Sequence, residues 1–295
     1  MSKIEQNSVI QGDCLEVMKD IPDNSIDLIL TDPPYLYLKH KLDRPFDEKV
    51  FFDQAKRVLK KDGMIVLFGR GTSFYRWNTI LANLGFTFKE EVIWDKKFSG
   101  SPTLPINRHH ETISIHSRGN GKIIKTKVPY DQSKEYRIQH VIDDFKKAIS
   151  VLNDKSKLSS VVESIEGRVV YTKDKAHKFD THVPSSLKER DRRLVAINAI
   201  ANGVREETII PVARDHYSAT HPTQKPVELI EGLINITSTG GGVILDPFAG
   251  SGSTAVAAIN TGHKYIMIEI DEEYISIINK TLAHPIQPNN VRKEK

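Results

Sequence analysis

Two stretches of this chain alternate short, mostly apolar runs with segments of helical apolar spacing, and that alternation limits the fold more than any other feature. In the first stretch, Ser25–Thr31 (SIDLILT) runs into Asp32-Pro33-Pro34. Glu48–Lys61 follows with Val50, Phe51, Ala55, Val58 and Leu59 at helical spacing, then Asp62-Gly63 as a stop and Met64–Phe68 (MIVLF) as a strand. Phe74–Leu84 reads as a helix closed by Gly85, and Val92–Trp94 and Thr112–His116 as further strands. In the second stretch the helical segments are Pro226–Ile236, Ser253–Asn260 and Glu272–Leu282, with strand runs at Gly242–Leu245 and Tyr265–Glu269. Strands that are apolar along their length are buried on both faces, so the pattern predicts an α/β fold with a parallel sheet covered by helices.

Between these stretches the rhythm is lost. Residues 119–220 are polar and lysine-rich, punctuated by Pro129, Pro184 and Pro211, and residues 121–220 hold 19 Lys and Arg against 14 Asp and Glu. The expected organisation is therefore one domain made of 1–118 and 221–285, an inserted region at 119–220, and a polar tail at 286–295. The overall net charge of +4 is weak evidence for an anionic partner. A content of 39% apolar and 27% charged residues excludes a mostly disordered chain. The single cysteine, Cys14, excludes an internal disulfide and a multi-cysteine zinc site. His109, His110, His116, His216 and His221 have no recognised ligand spacing, so no metal is expected. No apolar run approaches the ~18 residues of a membrane span. The first residues carry no apolar signal core, and a cytoplasmic protein is expected.

Two loops carry the chemistry. Thr31-Asp32-Pro33-Pro34-Tyr35 follows a buried strand, and strand ends in an open parallel sheet are where ligands bind. Its prolines fix the backbone and lack N–H donors, so carbonyl acceptors project beside a carboxylate and an aromatic face. That set suits a planar group with an exocyclic amine, such as a nucleobase; a strand-ending turn with a surface tyrosine is the plain structural alternative. Leu245-Asp246-Pro247-Phe248-Ala249-Gly250-Ser251-Gly252-Ser253-Thr254 reads as strand, glycine-rich turn and helix. Its glycines allow close approach of backbone to a ligand at a helix N-terminus. The full dinucleotide-binding spacing and the lysine of a phosphate-binding P-loop are both missing. Glu269 closes the next strand, where an acid can hold ribose hydroxyls.

Together these segments resemble the β-class amino-methylating DNA methyltransferases, the adenine-N6 and cytosine-N4 family that uses S-adenosylmethionine. The resemblance rests on Asp32-Pro33-Pro34-Tyr35 as the catalytic motif, on Asp246 to Gly252 as the cofactor loop, and on their order, catalytic motif first. It covers roughly residues 7–118 and 220–282. It implies a doubly wound, mostly parallel, seven-stranded Rossmann-like methyltransferase sheet, with target recognition between the two halves.

It also implies roles. Asp32, Pro33, Pro34 and Tyr35 are the expected catalytic residues. The expected cofactor-binding set is Asp13, Cys14, Thr223, Gln224, Lys225, Asp246, Pro247, Phe248, Gly250, Ser251, Gly252 and Glu269. Within it, Asp13 accepts the adenine amino group of the cofactor, a role compatible with capping a helix. Lys225, in His221-Pro222-Thr223-Gln224-Lys225-Pro226, meets its carboxylate. Phe248 packs beside it or in the core. Asp at the first motif position favours adenine N6, with cytosine N4 the chemical alternative and an idle DNA-binding protein a more distant one. Cytosine-C5 chemistry is not expected, because its Pro-Cys nucleophile is absent from the sequence. The expected partner is double-stranded DNA, with a homodimer and a cognate restriction endonuclease as further associations of bacterial or phage relatives. Leu36–Phe46, with Tyr37, Lys39, His40, Lys41 and Arg44, is either a loop that closes on DNA or an ordinary connection. Lys173, Lys175, Lys178, Lys188, Arg190, Arg192 and Arg193 are candidates for phosphate contact or for a solvated helix face.

Overall fold

The computed structural model describes residues 4–35, 43–97, 109–128, 203–213 and 224–283. In chain order the elements are β1 (Ser8–Gln11), α1 (Cys14–Val17), a short 3-10 turn (Met18–Asp20), β2 (Ile26–Thr31), α2 (Glu48–Val58), β3 (Leu59–Gly69), α3 (Gly71–Asn83), β4 (Thr87–Asp95), β5 (His110–Ser117), β6 (Lys127–Val128), β7 (Val204–Arg205) and β8 (Ile209–Pro211). The last five are α4 (Val227–Thr237), β9 (Val243–Asp246), α5 (Ser253–Asn260), β10 (Lys264–Glu269) and α6 (Glu272–Ala283).

Consecutive side chains on a strand point to opposite faces, and here both directions are apolar. Leu28 and Leu30 of β2, Met64, Val66 and Phe68 of β3, Ile244 of β9 and Met267 of β10 join a core with Leu229, Leu233, Ala257 and Ile278 from α4, α5 and α6. Ile29, Ile65, Leu67, Leu245 and Ile268 from the same strands face a second core with Met18, Phe51, Phe52, Trp77 and Leu81 from the other side. The sheet is therefore wound on both faces, as the apolar runs predict.

Its strand order is β1-β10-β9-β2-β3-β5-β4-β8. β1, β10, β9, β2 and β3 are parallel neighbours. β5 runs antiparallel to both β3 and β4, so the sheet is mixed. Eight strands replace the seven expected. The extra one is β8, a three-residue edge strand parallel to β4 and paired through Ile93, Trp94 and Asp95.

The compact units have different bounds from the expected division at 119–220. The chain divides into two compact units, 1–124 with 207–295, and 125–206. β8 lies in the first unit although it falls within the polar stretch, since Trp94 Nε1 donates to Val212 O at 2.8 Å and fastens it to β4. In the second unit, the described residues form a two-stranded antiparallel sheet of β6 and β7. Most of that unit, including Lys173 to Arg193, lies outside the described residues.

Helix boundaries follow local chemistry. Asp47 caps α2 by accepting from Val50 N at 3.0 Å. The helix stops at Val58, short of the expected Lys61, because Leu59 already pairs with Ile26. α3 begins at Gly71, before the expected Phe74. Among the described residues no helix is long and apolar enough to cross a membrane. Leu28 is fully buried on a central strand. Leu28→Ala should cost about 2–5 kcal/mol of unfolding free energy, read from urea denaturation.

Candidate active site

The parallel strands β1, β10, β9 and β2 end at one edge of the sheet, and an expected site residue ends or follows each of them. Asp13 follows β1, Glu269 ends β10, Asp246 ends β9, and Asp32 follows β2. The sheet order makes these loops neighbours, although residues 32 and 246 are far apart in the chain.

Asp246 joins two of them. Its Oδ1 accepts from the Thr31 hydroxyl at 2.9 Å and from the Phe248 amide at 3.1 Å, and its Oδ2 from the Thr254 hydroxyl at 2.6 Å. The carboxylate, expected to face the cofactor, is buried and spends both oxygens on the protein. It clamps the end of β2 to the turn between β9 and α5. Gly250 and Gly252 of that turn have φ of +53° and +83°. A Cβ at Gly252 would stand 2.9 Å from the Ile278 side chain, so backbone conformation and packing both require glycine there. Pro247 and Ser251 are buried within the turn. The Phe248 ring, half-buried, packs on Phe46 and Phe51 with centroids 5.1 and 5.4 Å away.

Glu269 holds the turn from the other side. Its Oε2 accepts from Gly250 N at 2.8 Å and its Oε1 from Asp271 N at 2.9 Å. Burial pushes its carboxyl above the ordinary carboxylate range, against the pull of those amides. Gly12 N donates to Glu269 O at 2.9 Å, which brings the Gly12-Asp13 corner alongside. Asp13 caps α1 through Leu15 N at 2.8 Å. The Cys14 thiol is buried, and burial pushes it up to about 12, so it is no nucleophile.

In the loop after β2, the Tyr35 hydroxyl donates to Asp32 Oδ1, and Ser73 Oγ donates to Tyr35 O at 2.9 Å. The Tyr35 ring lies 5.8 Å from Trp77. Lys225 was expected at the cofactor's carboxylate. Its ammonium donates to Asp32 Oδ2 and lies 3.2 Å from Glu111 Oε2. The reason is electrostatic, since a cation this buried needs anions in contact. Burial alone would lower the ammonium pKa; Asp32 and Glu111 outweigh it and hold Lys225 charged. Burial, reinforced by the Glu111 charge, raises the Asp32 carboxyl, while Lys225 pulls it down. Glu111, at the start of β5, is a site residue the sequence reading missed; its only signal was an acid at the end of a strand run. Gln224 is half-buried beside Lys225, and Thr223 lies outside the described residues. Residues 36–42 of the following loop lie outside them too, while Arg44 stands 3.7 Å from Asp271. Among the described residues no cluster of His, Cys, Asp and Glu could hold a metal ion.

Burial pushes the Asp246 carboxyl up to about 6, against the pull of its three donors. The folded chain thus binds this proton more tightly than the unfolded chain, and stability falls as pH rises from about 4 to about 6. Asp246→Asn removes that loss. Urea denaturation should show the variant gaining roughly 3 kcal/mol relative to the parent protein between pH 4 and pH 7.

A family profile described as DNA methylase (N6_N4_Mtase) matches residues 26–280. The chain is 27% identical to the type II methyltransferase M.HinfI of Haemophilus influenzae, over 96% of its own length and 70% of that protein. It is 28% identical to the DNA adenine methyltransferase YhdJ of Escherichia coli strain K12, over 92% of its own length and 81% of that protein. In structure it is similar to the M1.HpyAVI–SAM complex, with a TM-score of 0.57 at 17% identity, covering 93% of this chain and 98% of that one. The profile spans both loops that Asp246 clamps together, and with them the strand that carries Glu111. The chain therefore belongs to the N6/N4 family of amino-methylating DNA methyltransferases.

Proposed function

We propose that this DNA methyltransferase methylates the exocyclic N6 of adenine in duplex DNA, using S-adenosylmethionine. The observation that carries the reading is the clamp between Thr31 and Asp246, which sets an acceptor loop against a glycine turn at a helix N-terminus. The residues present fit the cofactor. Glu269 is an acceptor for ribose hydroxyls, Asp13 for an adenine amine, the Gly250–Gly252 turn allows close backbone approach, and Phe248 offers an aromatic wall. Bound there, S-adenosylmethionine supplies a methyl group activated by a sulfonium.

The protein's own residues prepare the other reactant. An exocyclic amine is a poor nucleophile because its lone pair is delocalised into the ring. Hydrogen bonds from the amine to the Asp32 carboxylate and the Pro33 carbonyl favour a pyramidal nitrogen and aim its lone pair. As the nitrogen–carbon bond forms the nitrogen becomes cationic, and Asp32 is placed to stabilise that charge and take the proton it sheds. A base inside a duplex cannot reach this loop, so it is extruded, and the Tyr35 ring stacks on it. The unit 125–206 is the target-recognition region, and the protein works in the cytoplasm. Adenine is favoured over cytosine by the aspartate at residue 32, and the adenine methyltransferase among its relatives agrees.

The test is transfer of a labelled methyl group to unmethylated duplex DNA, then digestion to nucleosides and mass spectrometry. N6-methyldeoxyadenosine is expected; N4-methyldeoxycytidine would keep the mechanism and overturn the base. Asp32→Ala should lower transfer by about two orders of magnitude or more while the Kd for S-adenosylmethionine stays within about threefold. Glu269→Ala should weaken that Kd by roughly 10- to 100-fold, read by calorimetry. An unchanged affinity would remove Glu269 from the cofactor site.

A further inference from the structure

The proposed mechanism leaves Glu111 without a task. It is the second residue of β5, the strand antiparallel to its neighbours. The reversed course brings the start of β5, not its end, to the edge where β2 and β3 finish, since Thr112 pairs with Gly69. Lys96, just after β4, reaches the same edge and pairs with Glu111 Oε1. The other oxygen, Oε2, is buried and faces Lys225 Nζ at 3.2 Å. The Lys225 ammonium donates to Asp32 Oδ2 and lies 4.9 Å from the centre of the Phe68 ring. Side-chain exposure along this row is 22% for Asp32, 9% for Lys225, and 14% each for Glu111 and Lys96.

The row alternates in sign: Asp32 negative, Lys225 positive, Glu111 negative, Lys96 positive. The other titratable groups facing Asp32 are the Tyr35 hydroxyl and, on β9, the Asp246 carboxylate. A carboxylate bonded to an ammonium of its own gives up much of its ability to accept from a further donor. Here the ammonium is shared. Glu111 draws on Lys225 from 3.2 Å, while Lys225 keeps its hydrogen bond to Asp32. Opposite and like charges at such separations act strongly because little water enters to screen them.

We propose that Glu111 is a positioning residue for the transfer reaction. By sharing Lys225 it keeps Asp32 from being fully neutralised, and so keeps Asp32 a strong acceptor for the substrate amine. Lys96 sets how much of the Glu111 charge is available for this. The inference rests on the reading of Asp32 as the amine acceptor. The sign is fixed. The Glu111 charge raises the affinity of Asp32 for a proton, so its removal lowers that affinity and leaves Lys225 to Asp32 alone.

The test uses the full chain and three variants. Glu111→Gln preserves shape and removes the charge. Single-turnover transfer to unmethylated duplex DNA should fall by about tenfold or more at its plateau, with its acid limb moved to lower pH by roughly one unit. The Kd for S-adenosylmethionine should stay within about threefold. Lys96→Met leaves Glu111 less neutralised and should move the limb the opposite way, to higher pH. A readout without turnover comes from protein carrying 13C in its aspartate carboxyls, with the Asp32 signal assigned by its loss in Asp32→Asn. The Asp32 titration midpoint should fall in Glu111→Gln and rise in Lys96→Met. Midpoints and acid limbs unmoved in both variants would overturn the proposal and leave Glu111 a purely structural clamp. Should Glu111→Gln not fold, Lys96→Met decides alone by the direction of its shift. Asp32→Asn that still transfers methyl groups would overturn the amine-acceptor reading instead, and the titration would then judge the charge coupling by itself.

Discussion

A buried carboxylate holds this molecule's two chemical loops together. Asp246 accepts from Thr31 at the end of β2 and from Phe248 and Thr254 in the turn that opens α5. Neither loop is rigid through its own sequence alone. Proline stiffens Asp32-Pro33-Pro34, α5 anchors one side of the glycine turn, the pairing of β2 with β9 sets the strands side by side, and the Asp246 side chain ties the loops beyond their ends. The cost of burying the charge appears in its raised pKa; what it secures is a fixed placement of the Asp32 loop against the glycine turn. Glu269 repeats the device on the far side by accepting the Gly250 amide, so the turn is held between two acids.

The sheet supplies the other half of the arrangement. Parallel strands deliver loop after loop to one edge, and ligands gather where such strands end. The antiparallel strand β5 breaks the rule usefully. It offers its first residues at an edge where its neighbours offer their last, and so adds a carboxylate on strand backbone, more firmly placed than any loop residue. Asp32 thus stands between a loop hydroxyl from Tyr35 and a row of charges anchored on β4, β5 and the start of α4.

What could be read from the sequence followed from local pattern. β2, β3, β9 and β10 are apolar on both faces and bounded by turn residues, so their existence and burial were plain, and α5 was bounded correctly at both ends. The catalytic and cofactor motifs stood out because each is contiguous. What depended on long-range pairing was hidden. The reversed direction of β5 leaves no mark in its own residues. β8 is too short to show a period and owes its place to Trp94. The end of α2 was misjudged because Leu59 satisfies helix and strand spacing equally. Nothing in the sequence around Lys225 announces that Asp32 and Glu111 converge on it. The glycine-rich turn marks Asp246 in the sequence, but its inward orientation leaves no mark there.

One feature of the strand order bears on how the chain comes to be folded. β9 and β10 lie between β1 and β2, so these two early strands are not neighbours and await two strands made much later. Joining β1 to β10 closes a loop of nearly the whole chain, including the unit 125–206, and such closures are entropically late events. Until then β2 lacks one neighbour and Asp32 lacks the wall that Asp246 provides. The loop after β2 leaves the ribosome well before Asp246, the residue that fixes it. That loop therefore gains its final support only when β9 has been made and has paired beside β2.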